Sequence, residues 1–330
     1  MSWTDLIDLA RWAPSPHNIQ TWKVRPLSDR RAELLYDPAR TLPATDPGGA
    51  FTKAGLGVFV EMLAVAAASR GFRLEIDWDE FELDSNAATP RRAASLSLEA
   101  GDPDVLDAEL IRLRRTSRLP FDGRPVDETL LEELDRICAG FGHRFTASSE
   151  QSFVDWVLEL NRDTLFYDLA DARARTEIGT WLRFSERRAA AERDGFSPSC
   201  LGFPGWLLFL FFRLPAVTGL PGINGTIRRR YFATTAGTRT VAWLQGPFGG
   251  HADSIEAGRL LARLWLTLTA RGVQLHPFGS IITNPRANAR LRERIAVAED
   301  ETPPWLIVRL GYSAEPPRSH RLRTDELLVA

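Results

Sequence analysis

Four arginines crowd one short stretch of this 330-residue chain, Arg112, Arg114, Arg115 and Arg118, with Thr116 among them. Guanidinium forks hold phosphate through paired charge-assisted hydrogen bonds, and a hydroxyl between them suits a polar chain attached to that phosphate. Arg318 and Arg321 form a second basic pair in the tail. A basic run is most often a solvated face, so neither cluster is diagnostic alone. Near the start, Pro14 and Pro16 force an extended turn that presents Ser15, His17 and Asn18. Far downstream, Pro277-Phe278-Gly279-Ser280 follows an amphipathic helix, and its glycine permits close backbone approach to a ligand. Other chemistries lack their residues. His143, His251, His276 and His320 show no HxxxH or HxxE spacing, and Cys138 and Cys200 form no CxxC, so no metal centre or disulfide framework is expected. Neither GxxxxGK[ST] nor GxSxG occurs, and Gly140-Phe141-Gly142 is only a fragment of GxGxxG.

The elements that must position these groups can be read from spacing. Ser2 or Thr4 can cap a helix through Ala10; Trp22 to Arg25 and Ala32 to Tyr36 read as paired strands; Phe51 to Ser69 has the apolar spacing of a buried helix. Arg73 to Asp77 and Ala94 to Glu99 alternate as strands, and Gly101-Asp102-Pro103 is the best boundary. Beyond it the pattern predicts helices from Asp104 to Arg115 and from Val126 to Cys138, with long charged helices between Ser152 and Arg193. Thr240 to Gln245 reads as a strand, and Ser254 to Arg271 as a helix stopped by Gly272. Trp305 to Leu310 is the closing strand. If the helix from Asp104 continues, Arg114 and Arg118 lie four apart on one side.

Composition narrows the class. With 44% hydrophobic and 25% charged residues and a formal net charge of −2, the chain reads as a soluble globular protein with no nucleic-acid partner. The N-terminus lacks a basic region followed by an apolar run, so no signal peptide is read and a cytoplasmic location is expected. Trp206 to Phe212 is the strongest apolar stretch, too short for a membrane span of about 20 residues.

Two segments together resemble a known family. Ala13-Pro14-Ser15-Pro16-His17-Asn18-Ile19-Gln20-Thr21-Trp22 is similar to the APSxxNxQPW signature of the nitroreductases, and Arg114-Arg115-Thr116-Ser117-Arg118 to their RRSxR opening. The order is reversed here and each occurs once, which implies two fused units that share one complete site. Tyr36 to Pro47, Gly55, Gly57, Glu256-Ala257-Gly258, Gly272 to Gly279, Arg309 to Tyr312 and Arg318 to Leu322 resemble the Acg-like branch.

The resemblance implies an α+β nitroreductase-like fold, internally duplicated so that one chain mimics the nitroreductase dimer. Residues 1–103 would be a reduced first half and 104–330 a second half with a lid-like insertion near 195–235. It implies FMN as cofactor, held by Pro14, Ser15, His17, Asn18, Gln20, Arg114, Arg115, Thr116, Arg118, Pro277, Phe278, Gly279, Ser280, Arg318 and Arg321. Flavin hydride transfer needs no protein nucleophile, so no separate catalytic residue is expected. The implied activity moves electrons from NAD(P)H through the flavin to a nitroaromatic or quinone, in a monomer or homodimer. Two rivals stand beside it: a flavin-dependent oxidase or dehydrogenase of a small metabolite, and a non-catalytic FMN-binding or sequestering protein. Gly202 to Pro221 would then be either a core helix or an aromatic wall over the flavin.

Overall fold

In a computed structural model describing residues 2–214, 216, 220–298 and 301–329, the chain builds two four-stranded antiparallel sheets. The first contains β1 (Trp22–Pro26), β2 (Arg31–Tyr36), β3 (Phe72–Trp78) and β4 (Arg91–Ala100), in the order β1-β2-β4-β3. The second contains β5 (Arg144–Ser148), β6 (Thr240–Gln245), β7 (Gln274–Pro277) and β8 (Pro304–Gly311), in the order β5-β6-β8-β7. The strand order is therefore the same in both. β6 and β8 are central, and all their residues are buried, which is why they read as apolar runs rather than alternations.

Around the first sheet run α1 (Trp3–Ala10), α2 (Ala50–Ala68) and the short α3 (Glu109–Leu113). α4 (Glu128–Gly140) leads into the second half, followed by α5 (Gln151–Asp168), α6 (Ala172–Thr180), α7 (Glu186–Glu192), α8 (Pro198–Leu201), α9 (Gly205–Arg213) and α10 (Pro221–Ala233). Then come α11 (His251–Ala270), α12 (Gly279–Thr283), α13 (Pro285–Arg294) and α14 (Thr324–Leu327). α1 starts as its sequence dictates: Ser2 and Asp5 satisfy one another's backbone N–H groups in a capping box.

The frame is set where α2 crosses α11. A Cβ on Gly57 would stand 2.0 Å from the Ile255 carbonyl oxygen, and one on Gly258 would stand 1.9 Å from that of Ala54. Only hydrogen at these positions lets the two backbones touch. Charge fixes the same crossing, because the buried Glu61 of α2 accepts from Arg259 and Arg263 of α11, and Arg263 also binds Asp104. α2 is long and apolar enough to cross a bilayer, but 83% of that apolar window is buried inside the protein.

Three expectations change. The helix from Asp104 to Arg115 shrinks to Glu109–Leu113, because Asp104 and Asp107 fold back on the backbone N–H groups of Leu106 and Glu109, and Arg114 is already extended. The charged stretch between Ser152 and Arg193 is three helices, the breaks starting at Leu169 and Trp181. Gly101 to Pro103 is a loop but no packing boundary: Ile111, Leu322 and Leu327 belong to the core of the first sheet, and Leu328 bridges to Val24.

Candidate functional site

Between the α2–α11 crossing and a cap made by α5, α6, α9 and α10 lies a cavity of about 620 Å³. Its floor comes from both ends of the chain: Pro14, Ser15 and His17 after α1, Gly55 and Val58 of α2, Thr116, Arg118, Trp265 of α11, and Pro277 to Ser280. Its roof is apolar, with Phe203, Leu207, Leu208, Phe211 and Phe212 facing in. Of the segment from Gly202 to Pro221, the part from Phe203 to Phe212 thus supplies one cavity wall; residues 215 and 217–219 lie outside the described residues.

The turn after α1 is strained. His17, Asn18 and Gln20 all have positive φ, at 47°, 56° and 52°, a conformation that side chains other than glycine rarely adopt. Hydrogen bonds hold it there. Asn18 Nδ2 donates to the carbonyls of Gly195 and His320, Gln20 Nε2 donates to that of Arg193, and Gln20 Oε1 accepts from Leu322 N–H. Asn18 and Gln20 therefore brace the turn against the cap and the tail and lie off the cavity wall, while Pro14, Ser15 and His17 form part of it. Burial first, and then the charge of Arg118, pushes the His17 imidazole down to about 4, and its Nδ1 has no hydrogen-bond partner. It is neutral at pH 7.

The arginine run does not act as one face. With the helix ending at Leu113 and Thr116 bridging to Leu275, Arg114 and Arg118 diverge. Arg114 turns inward over the Trp265 ring, 4.5 Å from its centroid, and joins Arg115, Arg318 and Arg321. Arg318 lies over Trp12 at 3.4 Å, Arg321 donates to the carbonyls of Ala13 and His320, and Arg115 pairs with the exposed Glu315. Among the described residues neither Arg114 nor Arg321 has a carboxylate partner, and Arg114 Nε and Nη1 are buried with no acceptor at all. Burial, reinforced by the three neighbouring arginines, drives the Arg114 guanidinium well below its ordinary pKa, and burial brings Arg321 down to about 10. Such a nest calls for an anion with several oxygens.

No family model matches the chain. It is 35% identical over 335 residues to acg of Mycobacterium tuberculosis strain H37Rv, covering 97% of this chain and 93% of that protein. It is 26% identical over 316 residues to PigM of Serratia sp. strain ATCC 39006, covering 88% and 83% respectively. Both carry the name NAD(P)H nitroreductase. The chain belongs to the nitroreductase family, in its Acg-like branch. Among solved structures, the FMN- and NADPH-dependent nitroreductase NfnB of Sphigopyxis sp. strain HMH matches over 68% of this chain and 97% of its own, at a TM-score of 0.40 and 16% identity.

In this nitroreductase-family chain Arg118 belongs to a second group of polar side chains. It lies over the Phe196 ring at 5.0 Å and lines the cavity with His276, Asn161 and Tyr231. Behind His276 is the fully buried Arg309, whose five N–H groups are all used: His276 Nδ1, Thr238 Oγ1 and the carbonyls of Thr234, Ser117 and Leu119 accept them. Arg309 thereby ties the loop carrying Arg118 to the strand before Pro277. Burial, then Arg309, holds His276 well below the usual histidine range, so it too is neutral. Asn161 Nδ2 donates to Tyr231 Oη at 2.7 Å, leaving the phenol proton available to a bound molecule. Pro277, Phe278, Gly279 and Ser280 line the cavity, and α12 begins at Gly279. Asn161 and Tyr231 had no signal in their neighbours, since each reaches the site from a separate helix, whereas His276 lay inside the family-like stretch from Gly272 to Gly279 without being singled out.

Proposed function

We propose that the chain is an FMN-dependent oxidoreductase that takes electrons from NAD(P)H and passes them to a small organic acceptor such as a nitroaromatic or a quinone. The observation that carries this reading is Arg114, buried beside Arg321 and Arg318 with two unpaired nitrogens. A terminal phosphate fits that nest. Arg114 and Arg321 would hold it with Arg115 and Arg318 at the rim, Thr116 and Ser15 would line the polar chain, and Arg118 would face the polar edge of the ring. The cavity falls in the range of about 300–1,000 Å³ usual for ligand pockets. Bound there, FMN would supply reversible two-electron chemistry. The chain's own part is position and charge: Arg118 keeps a positive group beside neutral His17 and His276, and the roof of Phe203, Phe211 and Phe212 excludes water from one face. The names of the relatives support NAD(P)H as donor, and a flat apolar acceptor suits the same aromatic roof.

The shared strand order of the two sheets supports a duplicated unit with one site per chain. The test is the purified protein's absorbance and its flavin content after heat release. One FMN per chain that bleaches with anaerobic NADPH or NADH is expected. Two per chain, or none after reconstitution, would overturn the reading. The apolar roof also favours a second one, flavin storage, and bound FMN that neither dinucleotide reduces would select it.

A further inference from the structure

The cap has an outer face as well as a roof. α9 reads Gly-Trp-Leu-Leu-Phe-Leu-Phe-Phe-Arg and is apolar all round. Leu208, Phe211 and Phe212 turn toward the cavity. On the other side Trp206 and Phe209, three residues apart, are 65% and 46% exposed, and Arg213 continues their stripe four residues on. Leu220 and Ile223 at the start of α10 add two more exposed apolar side chains. A helix apolar on every side is ordinarily buried on every side, and an exposed cluster of this kind marks an interaction site with a protein or a membrane.

Charge points to the occupant. From Gly195 to Ala252 the sequence holds no aspartate or glutamate, yet it carries Arg213, Arg228, Arg229, Arg230 and Arg239, in a chain whose acidic and basic residues number 43 and 41 over its full length. Arg228 is held by Asp163 of α5, while Arg213, Arg229 and Arg230 are exposed. Aromatic side chains flanked by arginines of one sign match a bilayer whose headgroups are anionic. A second copy of the chain fits less well, because a two-fold contact would set these arginines against themselves.

We propose that the α9–α10 cap is a peripheral docking surface for an anionic lipid bilayer, with Trp206 and Phe209 at the headgroup boundary and Arg213, Arg229 and Arg230 on lipid phosphates. The cavity roof would then lie directly beneath the lipid surface. Docking needs no cofactor, so it can fail or hold independently of the proposed redox activity.

The probe is co-sedimentation of the full chain with phosphatidylcholine vesicles, and with vesicles of phosphatidylcholine and phosphatidylglycerol at roughly 3:1. Binding only to the anionic vesicles, weakened by salt, is expected. Arg213→Gln with Arg229→Gln removes two basic contacts at about fivefold each, so affinity falls about 25-fold. Trp206→Ser with Phe209→Ser abolishes binding while the circular dichroism spectrum stays unchanged, since Trp206 is mostly exposed and Phe209 gives up only its edge-on contact with Phe184. Wild-type protein that ignores anionic vesicles would overturn the proposal. So would light scattering that shows the Trp206→Ser, Phe209→Ser variant turning a dimer into a monomer, which would assign the patch to a second copy, and so would a soluble protein partner that binds the patch and leaves no affinity for vesicles.

Discussion

Replacing Arg114 by methionine is expected to move stability and cofactor affinity in opposite directions. Without an anion, the Arg114 guanidinium is a buried charge with two orphaned nitrogens, one hydrogen bond of 3.3 Å to the Trp12 carbonyl, and three arginines for neighbours. Each unsatisfied buried donor costs about 1–3 kcal/mol, and exchanging an unfavourable buried charge for an apolar side chain of similar size gains about 1–4 kcal/mol. The flavin-free Arg114→Met protein is therefore expected to be more stable than wild type by about 1–3 kcal/mol, net of the lost contact with Trp265. With FMN bound the same change removes two charge-assisted hydrogen bonds worth about 1.5–3 kcal/mol each, or roughly 150-fold to 20,000-fold in Kd. Urea unfolding of flavin-free protein measures the first term and quenching of FMN fluorescence on titration measures the second. Arg112→Met is the comparison: half-buried Arg112 has one unpartnered nitrogen, Nε, but also a carboxylate partner in Asp8, so the gain without flavin should be smaller and the Kd for FMN unaltered. A flavin-free Arg114→Met protein that is less stable than wild type, with an unaltered Kd for FMN, would refute the reasoning that makes this nest a phosphate site.

Gly57→Ala and Gly258→Ala each push a methyl group into a backbone carbonyl, so each is expected to lower stability by about 1–3 kcal/mol or more and to lower FMN content with it; Gly222→Ala, where a Cβ meets nothing within 4 Å, should leave the melting curve in place, and equal effects at all three would refute a tight crossing. Because His17 is held at about 4 and His276 is also lowered, the unfolded chain binds protons first as pH falls below about 6.5, so stability declines from there toward pH 4 by up to about 1.4 kcal/mol per pH unit for each histidine. Urea midpoints of flavin-free protein between pH 7.5 and 5 test this, and a His17→Gln variant with the wild-type slope would count against it. Tyr231→Phe removes the hydroxyl that Asn161 orients, so turnover with a quinone or nitroaromatic is expected to fall about 2-fold to 13-fold while ferricyanide, which needs no hydrogen bond, is reduced as before. Loss of both activities together would mean that Tyr231 only supports the fold.

Local pattern carried most of the elements. Ser2 with Asp5, the alternation in Ala94 to Glu99, the apolar repeat after Ser254 and the stop at Gly272 are each decided by residues within a few positions of one another, where capping, side-chain alternation and backbone preference act. The pattern misled where a side chain had a distant partner. Asp104 could open a helix by its position, but Arg263, far along the chain, holds its carboxylate and the helix starts later.

The same division runs through the site. Sequence by itself supplied the ingredients: the turn after Pro14, the arginine run, the tail arginines and the glycine at 279, together with the family they resemble. Tertiary structure decided which of them meet. It sent Arg114 and Arg118 to different groups, turned Asn18 and Gln20 into braces, and brought Asn161, Tyr231 and His276 together from three elements. The physical reason is that a buried guanidinium is defined by what compensates its charge, and here the residues that surround Arg114 lie about a hundred positions before it and two hundred after it. No local rule of spacing can express that, whereas one crossing of α2 over α11, set by two glycines, brings both ends of the chain to the same cavity.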